Sequence, residues 1–107
     1  MTDAVYEILS TIKGDELVGI KVVVSLDVKD FDSFRKVFNS EGPNNARKEV
    51  GLIAEAHRNL DNPTNAVVIG TVPSKEAFLG FIATPENAER MKSAGVVSKP
   101  TVTFLEN

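Results

Sequence analysis

The stretch that most limits what this chain can become is residues 52–72, Leu-Ile-Ala-Glu-Ala-His-Arg-Asn-Leu-Asp-Asn-Pro-Thr-Asn-Ala-Val-Val-Ile-Gly-Thr-Val. It reads as two strands back to back, Leu52 to Asn59 and Ala66 to Val72, around the polar segment Leu60-Asp61-Asn62-Pro63-Thr64-Asn65. Asp and Asn side chains hydrogen-bond their own backbone and proline fixes φ, so the segment is a turn by its chemistry. Its length predicts a hairpin with a loop longer than two residues. A hairpin in mid-chain with helical periodicity on both sides leaves few arrangements open.

Ahead of the hairpin, Leu17 to Val28 is a strand. Ile20-Lys21-Val22-Val23-Val24-Ser25-Leu26 is rich in β-branched residues and apolar on both faces, as a central strand would be. Asp30 or Asp32 then starts a helix that puts Phe31, Phe34, Val37 and Phe38 on one side. Gly42-Pro43 is expected to interrupt it, and a second helical piece runs from Asn44 to Val50 and stops at Gly51. After the hairpin, Ser74 caps a helix carrying Phe78, Leu79, Phe81 and Ile82. Thr84-Pro85-Glu86 restarts it with Ala88, Met91 and Ala94, ending at Gly95. Pro100 to Leu105 is a closing strand. At the start of the chain, Val5, Ile8, Leu9 and Ile12 predict a short helix that ends at Gly14.

The order is β-α-β-β-α-β, the split βαβ, ferredoxin-like arrangement of the α+β class: a four-stranded antiparallel sheet with helices on one face. Residues 1–107 read as one domain, with 1–14 a helical extension and 17–106 the core. The other sheet face is left open. Val22, Val23 and Val24, and again Val67, Val68 and Ile69, are consecutive, so both faces carry apolar side chains. The expected cover is a second copy packed sheet against sheet.

Composition removes several functions. A net charge of −3 argues against nucleic acid and anionic membranes as partners. The absence of cysteine removes disulfides, thiolate metal sites and thiol nucleophiles. No apolar run is long enough to span a bilayer, and the first residues lack the pattern of a secretory signal, so a cytoplasmic location is expected. With one histidine, and acidic residues that form no calcium-loop spacing, no metal site is expected. A haem would have His57 as its sole histidine ligand. Asp30 and Asp32 are better placed as helix-start residues. No nucleophile elbow or phosphate-cradling glycine loop occurs.

Several segments carry a resemblance. They are Ser25-Leu26-Asp27-Val28-Lys29-Asp30-Phe31-Asp32-Ser33-Phe34, Glu55-Ala56-His57-Arg58-Asn59-Leu60-Asp61-Asn62-Pro63, Phe78-Leu79-Gly80-Phe81 with Pro85-Glu86, and Pro100-Thr101-Val102-Thr103-Phe104-Leu105. On these, residues 17–106 resemble the dimeric α/β-barrel superfamily and, within it, antibiotic-biosynthesis-monooxygenase-like proteins. The resemblance implies a homodimer and oxygenation, without a cofactor, of an aromatic or polyketide-like substrate whose deprotonated phenol or enol supplies the electrons. The chain departs from that group in having no tryptophan and a single histidine. The other reading is a non-catalytic dimeric module of the same fold that binds a small apolar ligand or serves in stress.

Strand parity places Ile53, Glu55, His57 and Asn59 on one face, and Leu52, Ala54, Ala56 and Arg58 on the other. Glu and His are poor residues to bury beneath apolar helices, so the Glu55/His57 face points away from them. His57 is the candidate general base, with Glu55 to orient the imidazole. Arg58 and Asn59 are candidate polar anchors for substrate, and Tyr6 could lie over a cavity mouth. Against this, Glu55 and His57 are better suited to a strand end near solvent or a dimer seam, and Arg58 to Pro63 to hairpin chemistry alone.

Overall fold

A computed structural model describes residues 19–106. The expected N-terminal helix and Tyr6 lie outside the described residues. The elements are β1 (Ile20–Asp27), α1 (Phe31–Phe38), α2 (Glu41–Glu49), β2 (Ile53–Asn59), β3 (Asn62–Val72), α3 (Lys75–Ile82), α4 (Pro85–Ser93) and β4 (Thr101–Leu105). The strands form one sheet in the order β2-β3-β1-β4, every pairing antiparallel. This is the ferredoxin-like α+β topology that the alternation of periodicities predicts. β1 is a central strand, as its two apolar faces require.

Local chemistry sets the helix starts. Asp30 caps α1, its carboxylate accepting hydrogen bonds from the Ser33 amide at 2.9 Å and the Ser33 hydroxyl at 2.7 Å. Ser74 accepts from the Ala77 amide at the start of α3, and Thr84 accepts from Asn87 ahead of Pro85 in α4. Gly42-Pro43 does not break the helix. The break falls at Asn39–Ser40, and both residues sit in the first turn of α2. There the amide that proline lacks would have had no intrahelical acceptor, so proline is tolerated. α2 ends at Gly51, whose φ of 74° only glycine adopts without strain.

The hairpin also differs from expectation. β3 begins at Asn62, and Asn59 pairs with Asn62 across a two-residue turn, Leu60-Asp61. Arg58 then pairs with Ala66, so Pro63, Thr64 and Asn65 form a bulge. A bulge absorbs the turn-forming residues without ending the strand, and Pro63 there loses no ladder bond. Asn65 holds the bulge. Its amide nitrogen is within 3.1–3.2 Å of Ser25 Oγ, Leu26 O and Asp27 Oδ1, and its oxygen accepts from Asn59 at 3.0 Å.

Val22, Val24 and Leu26 of β1 and Ala66 and Val72 of β3 are buried against Phe31, Phe34 and Phe78 from the helices. The opposite face carries cross-strand rows Ile53–Thr71–Lys21–Leu105, Glu55–Ile69–Val23–Thr103 and His57–Val67–Ser25–Thr101. Its centre is apolar and partly open, with Ile69 41% exposed and Ile53 78% exposed. Among the described residues no helix is long and apolar enough to cross a membrane.

Candidate functional site

Between the helices and the sheet lies a cavity of about 100 Å³. Val24 and Val68 form its floor, and Phe34, Phe38, Phe78 and Phe81 contribute to its walls. The rings pack in tilted pairs, with Phe34 and Phe38 5.8 Å apart between centroids, so the aromatic wall comes from the inward stripes of α1 and α3. Three polar side chains, Arg47, Asn87 and Arg90, reach this apolar space, and among the described residues no carboxylate, histidine or hydroxyl lines it.

Arg47 is 7% exposed. Its guanidinium lies 3.8 Å above the Phe38 ring, and its Nη2 donates to the Phe38 carbonyl at 2.7 Å and to Asn44 Oδ1 at 3.4 Å. Burial pushes its pKa down from the ordinary arginine value, yet a guanidinium stays protonated in proteins. Asn87 is buried and donates to the Ile82 carbonyl at 3.4 Å. Arg90 is half-buried on α4.

The residues that sequence reasoning singled out lie elsewhere, along β2 at the sheet edge. His57, Glu55 and Arg58 line an open polar groove with Phe31, Arg35 and Asn39 of the α1 side. His57 Nε2 is 3.5 Å from Glu55 Oε1, and the side chains are 53% and 81% exposed. Parity therefore brings the pair together and leaves it in solvent in the single chain. Arg58 donates to Asp32 Oδ1 at 2.8 Å and lies 5.0 Å from the Phe31 ring. Asn59 is bound to Asn65 and accepts from the Asp61 amide at the turn. Both are engaged within the hairpin and its neighbour helix.

Arg47, Asn87 and Arg90 are the polar groups that the sequence reading passed over. A signal was present. On α2 the inward stripe is Pro43, Arg47 and Val50, spaced four and three apart. On α4 it is Asn87, Arg90 or Met91, and Ala94. A charged residue in the phase of an apolar stripe marks a buried or ligand-facing group.

No protein-family model matches the sequence, and no curated protein matches it significantly. Solved structures do match in fold. A Nitrosomonas europaea structure described as an antibiotic biosynthesis monooxygenase superposes with a TM-score of 0.64 at 12% identity, covering 84% of this chain and 90% of that one. This chain has the ferredoxin-like fold of the antibiotic biosynthesis monooxygenases. A Streptomyces coelicolor monooxygenase from the gene ActVA-Orf6, solved with nanaomycin D, gives a TM-score of 0.61 at 25% identity, covering 88% of this chain and 91% of that one. A conserved Methanosarcina mazei protein with no activity in its name gives 0.60 at 14%, covering 88% and 97%. The antibiotic-biosynthesis-monooxygenase-like fold thus accompanies more than one kind of description, and function must be argued from the site.

Proposed function

We propose that this protein is a homodimeric small-molecule protein that takes an aromatic or polyketide-like molecule between its helices and its sheet, and oxygenates it without a cofactor. The observation that carries the reading is the phenylalanine-walled cavity with a few convergent polar groups, the usual make-up of a small-molecule site. The Streptomyces monooxygenase of the same fold, with nanaomycin D bound, supports the substrate class. In such chemistry the substrate's phenolate or enolate supplies the electrons, and oxygen accepts them. The protein excludes water and holds the anion. The open sheet face, with Val23, Val67 and Ile69 at its centre, supports dimerisation with a second copy.

His57, with Glu55 beside it, and Arg58 line the separate β2 groove, so as base and anchor they serve a ligand bound there and not one inside the cavity. A second reading, a binding module without catalysis, is favoured by one observation: among the described residues the cavity lining contains no side-chain acceptor other than the Asn87 amide oxygen. Oxygen uptake with a panel of one- to three-ring hydroxyarenes separates the two. Protein-dependent uptake supports the enzyme, and a fall in His57→Ala places its base in the β2 groove rather than in the cavity. Uptake unchanged in His57→Ala removes the base assignment, and binding with no uptake for any compound leaves the module.

A further inference from the structure

We propose that the cavity between helices and sheet selects an apolar acid: a ligand with a single aromatic ring and one negative charge, held by Arg47, with Arg90 also in the lining. The inference rests on the cavity being the ligand site and adds the charge and size of what enters.

The first observation is an imbalance. Among the described residues, two guanidinium groups line the cavity and no carboxylate does. The second is the contrast between arginines. Arg58 is half-exposed and has the Asp32 carboxylate at 2.8 Å, whereas Arg47 is buried and has no carboxylate partner among the described residues. Proteins ordinarily do the reverse, because a buried cation loses hydration and needs an anion more than a surface one.

The third is donor capacity. A guanidinium carries five N–H groups. Both protein bonds of Arg47 leave from Nη2, so Nε and Nη1 have no acceptor among the described residues. The carbonyl of Phe38, near the end of α1, and the ring beneath hold the group in place but do not neutralise it. Nε and Nη1 point to different sides of the group, so each can donate to one anionic oxygen of a carboxylate, phenolate or enolate. The apolar walls suit a ring. A volume of about 100 Å³ is on the scale of one ring, since an engineered apolar cavity of about 150 Å³ accepts benzene.

The test uses the full chain with benzoate and its neutral isostere benzamide, titrated by calorimetry into the wild type, Arg47→Met, Arg47→Lys and Arg90→Gln. Benzoate should bind about tenfold more tightly than benzamide, as a charge-assisted hydrogen bond implies. Arg47→Met should erase that preference while benzamide affinity stays put. Arg47→Lys should keep part of it, and Arg90→Gln should reduce it about threefold. Equal affinities in the wild type, or a preference that survives Arg47→Met, would overturn the anion assignment and leave the cavity reading standing. If neither compound binds at about 10 mM, both fall. Should Arg47→Met lose its circular-dichroism signature of folding, an unchanged preference in both Arg47→Lys and Arg90→Gln would count as refutation.

Discussion

Asn65 is the residue whose removal most sharply probes how the hairpin is pinned. Its side-chain nitrogen serves Ser25, Leu26 and Asp27, and its oxygen takes the Asn59 amide, all from a buried position in the bulge. Asn65→Ala removes two to three net hydrogen bonds at about 1 kcal/mol each and leaves the buried Leu26 carbonyl short of a donor, so the loss should be about 2–4 kcal/mol. For a domain of this size each kcal/mol moves Tm by about 4–8 °C, so thermal unfolding should shift down by about 8–32 °C. In urea the midpoint should fall with an unchanged slope, because the same surface is exposed. Asn65→Asp sharpens the test. At neutral pH it cannot donate and places a second carboxylate beside Asp27. Both effects raise the pKa of the new acid in the folded state. A raised folded pKa means that the stability is present at low pH and lost as pH rises, so the Asn65→Asp deficit should shrink on acidification. A Tm for Asn65→Ala within about 2 °C of wild type would refute the reasoning, since water would then satisfy the bulge as well as the amide does.

Three further outcomes follow from the same geometry. A Cβ on Gly70 would lie 2.6 Å from the Ile53 carbonyl and 2.8 Å from Ala54 Cβ, so Gly70→Ala should displace the β2 edge strand at about 1–3 kcal/mol, measured by urea unfolding and by faster amide exchange in residues 53–59. Asp30 has its pKa lowered by its hydrogen bonds from the Ser33 hydroxyl and amide, and to a smaller degree by Arg58. A lowered folded pKa stabilises above the unfolded value and is lost as pH falls through the folded one, so Asp30→Asn should be less stable at pH 7, with the gap closing in acid below the ordinary value of 3.8. Ile69 faces Val23 and Glu55 at the centre of the open sheet face, so Ile69→Asp should turn a dimer into a monomer by light scattering at micromolar concentration, with the circular-dichroism spectrum retained. A wild-type monomer at that concentration would remove the homodimer.

Fold and site were legible to different depths, for physical reasons. The β-α-β-β-α-β order was readable because burial imposes period two on strands and nearly four on helices, and Phe31, Phe34, Phe78 and Val22 obey it. The positions of the helix break and of the turn were not. Pro43 looks like a breaker until its place in the first turn of α2 is known, and Asn62–Asn65 look like loop until the bulge shows them inside β3. Both depend on backbone partners, which residue type does not specify. His57 and Glu55 were singled out because a lone histidine is conspicuous, and their 3.5 Å approach was legible because strand parity is local. Arg47 was passed over because its burial, and the lack of a carboxylate beside it among the described residues, are properties of several elements meeting in space.

The central claim is that ligand enters between the helices and the sheet. Its most direct test is a two-dimensional amide NMR titration of the isotopically labelled chain with benzoate. The account predicts shifts that saturate together in Phe34, Phe38, Arg47, Leu52, Asn87 and Met91, which line the cavity. Shifts confined to Glu55, His57 and Arg58, or to Val23, Val67 and Ile69 on the open face, would contradict it.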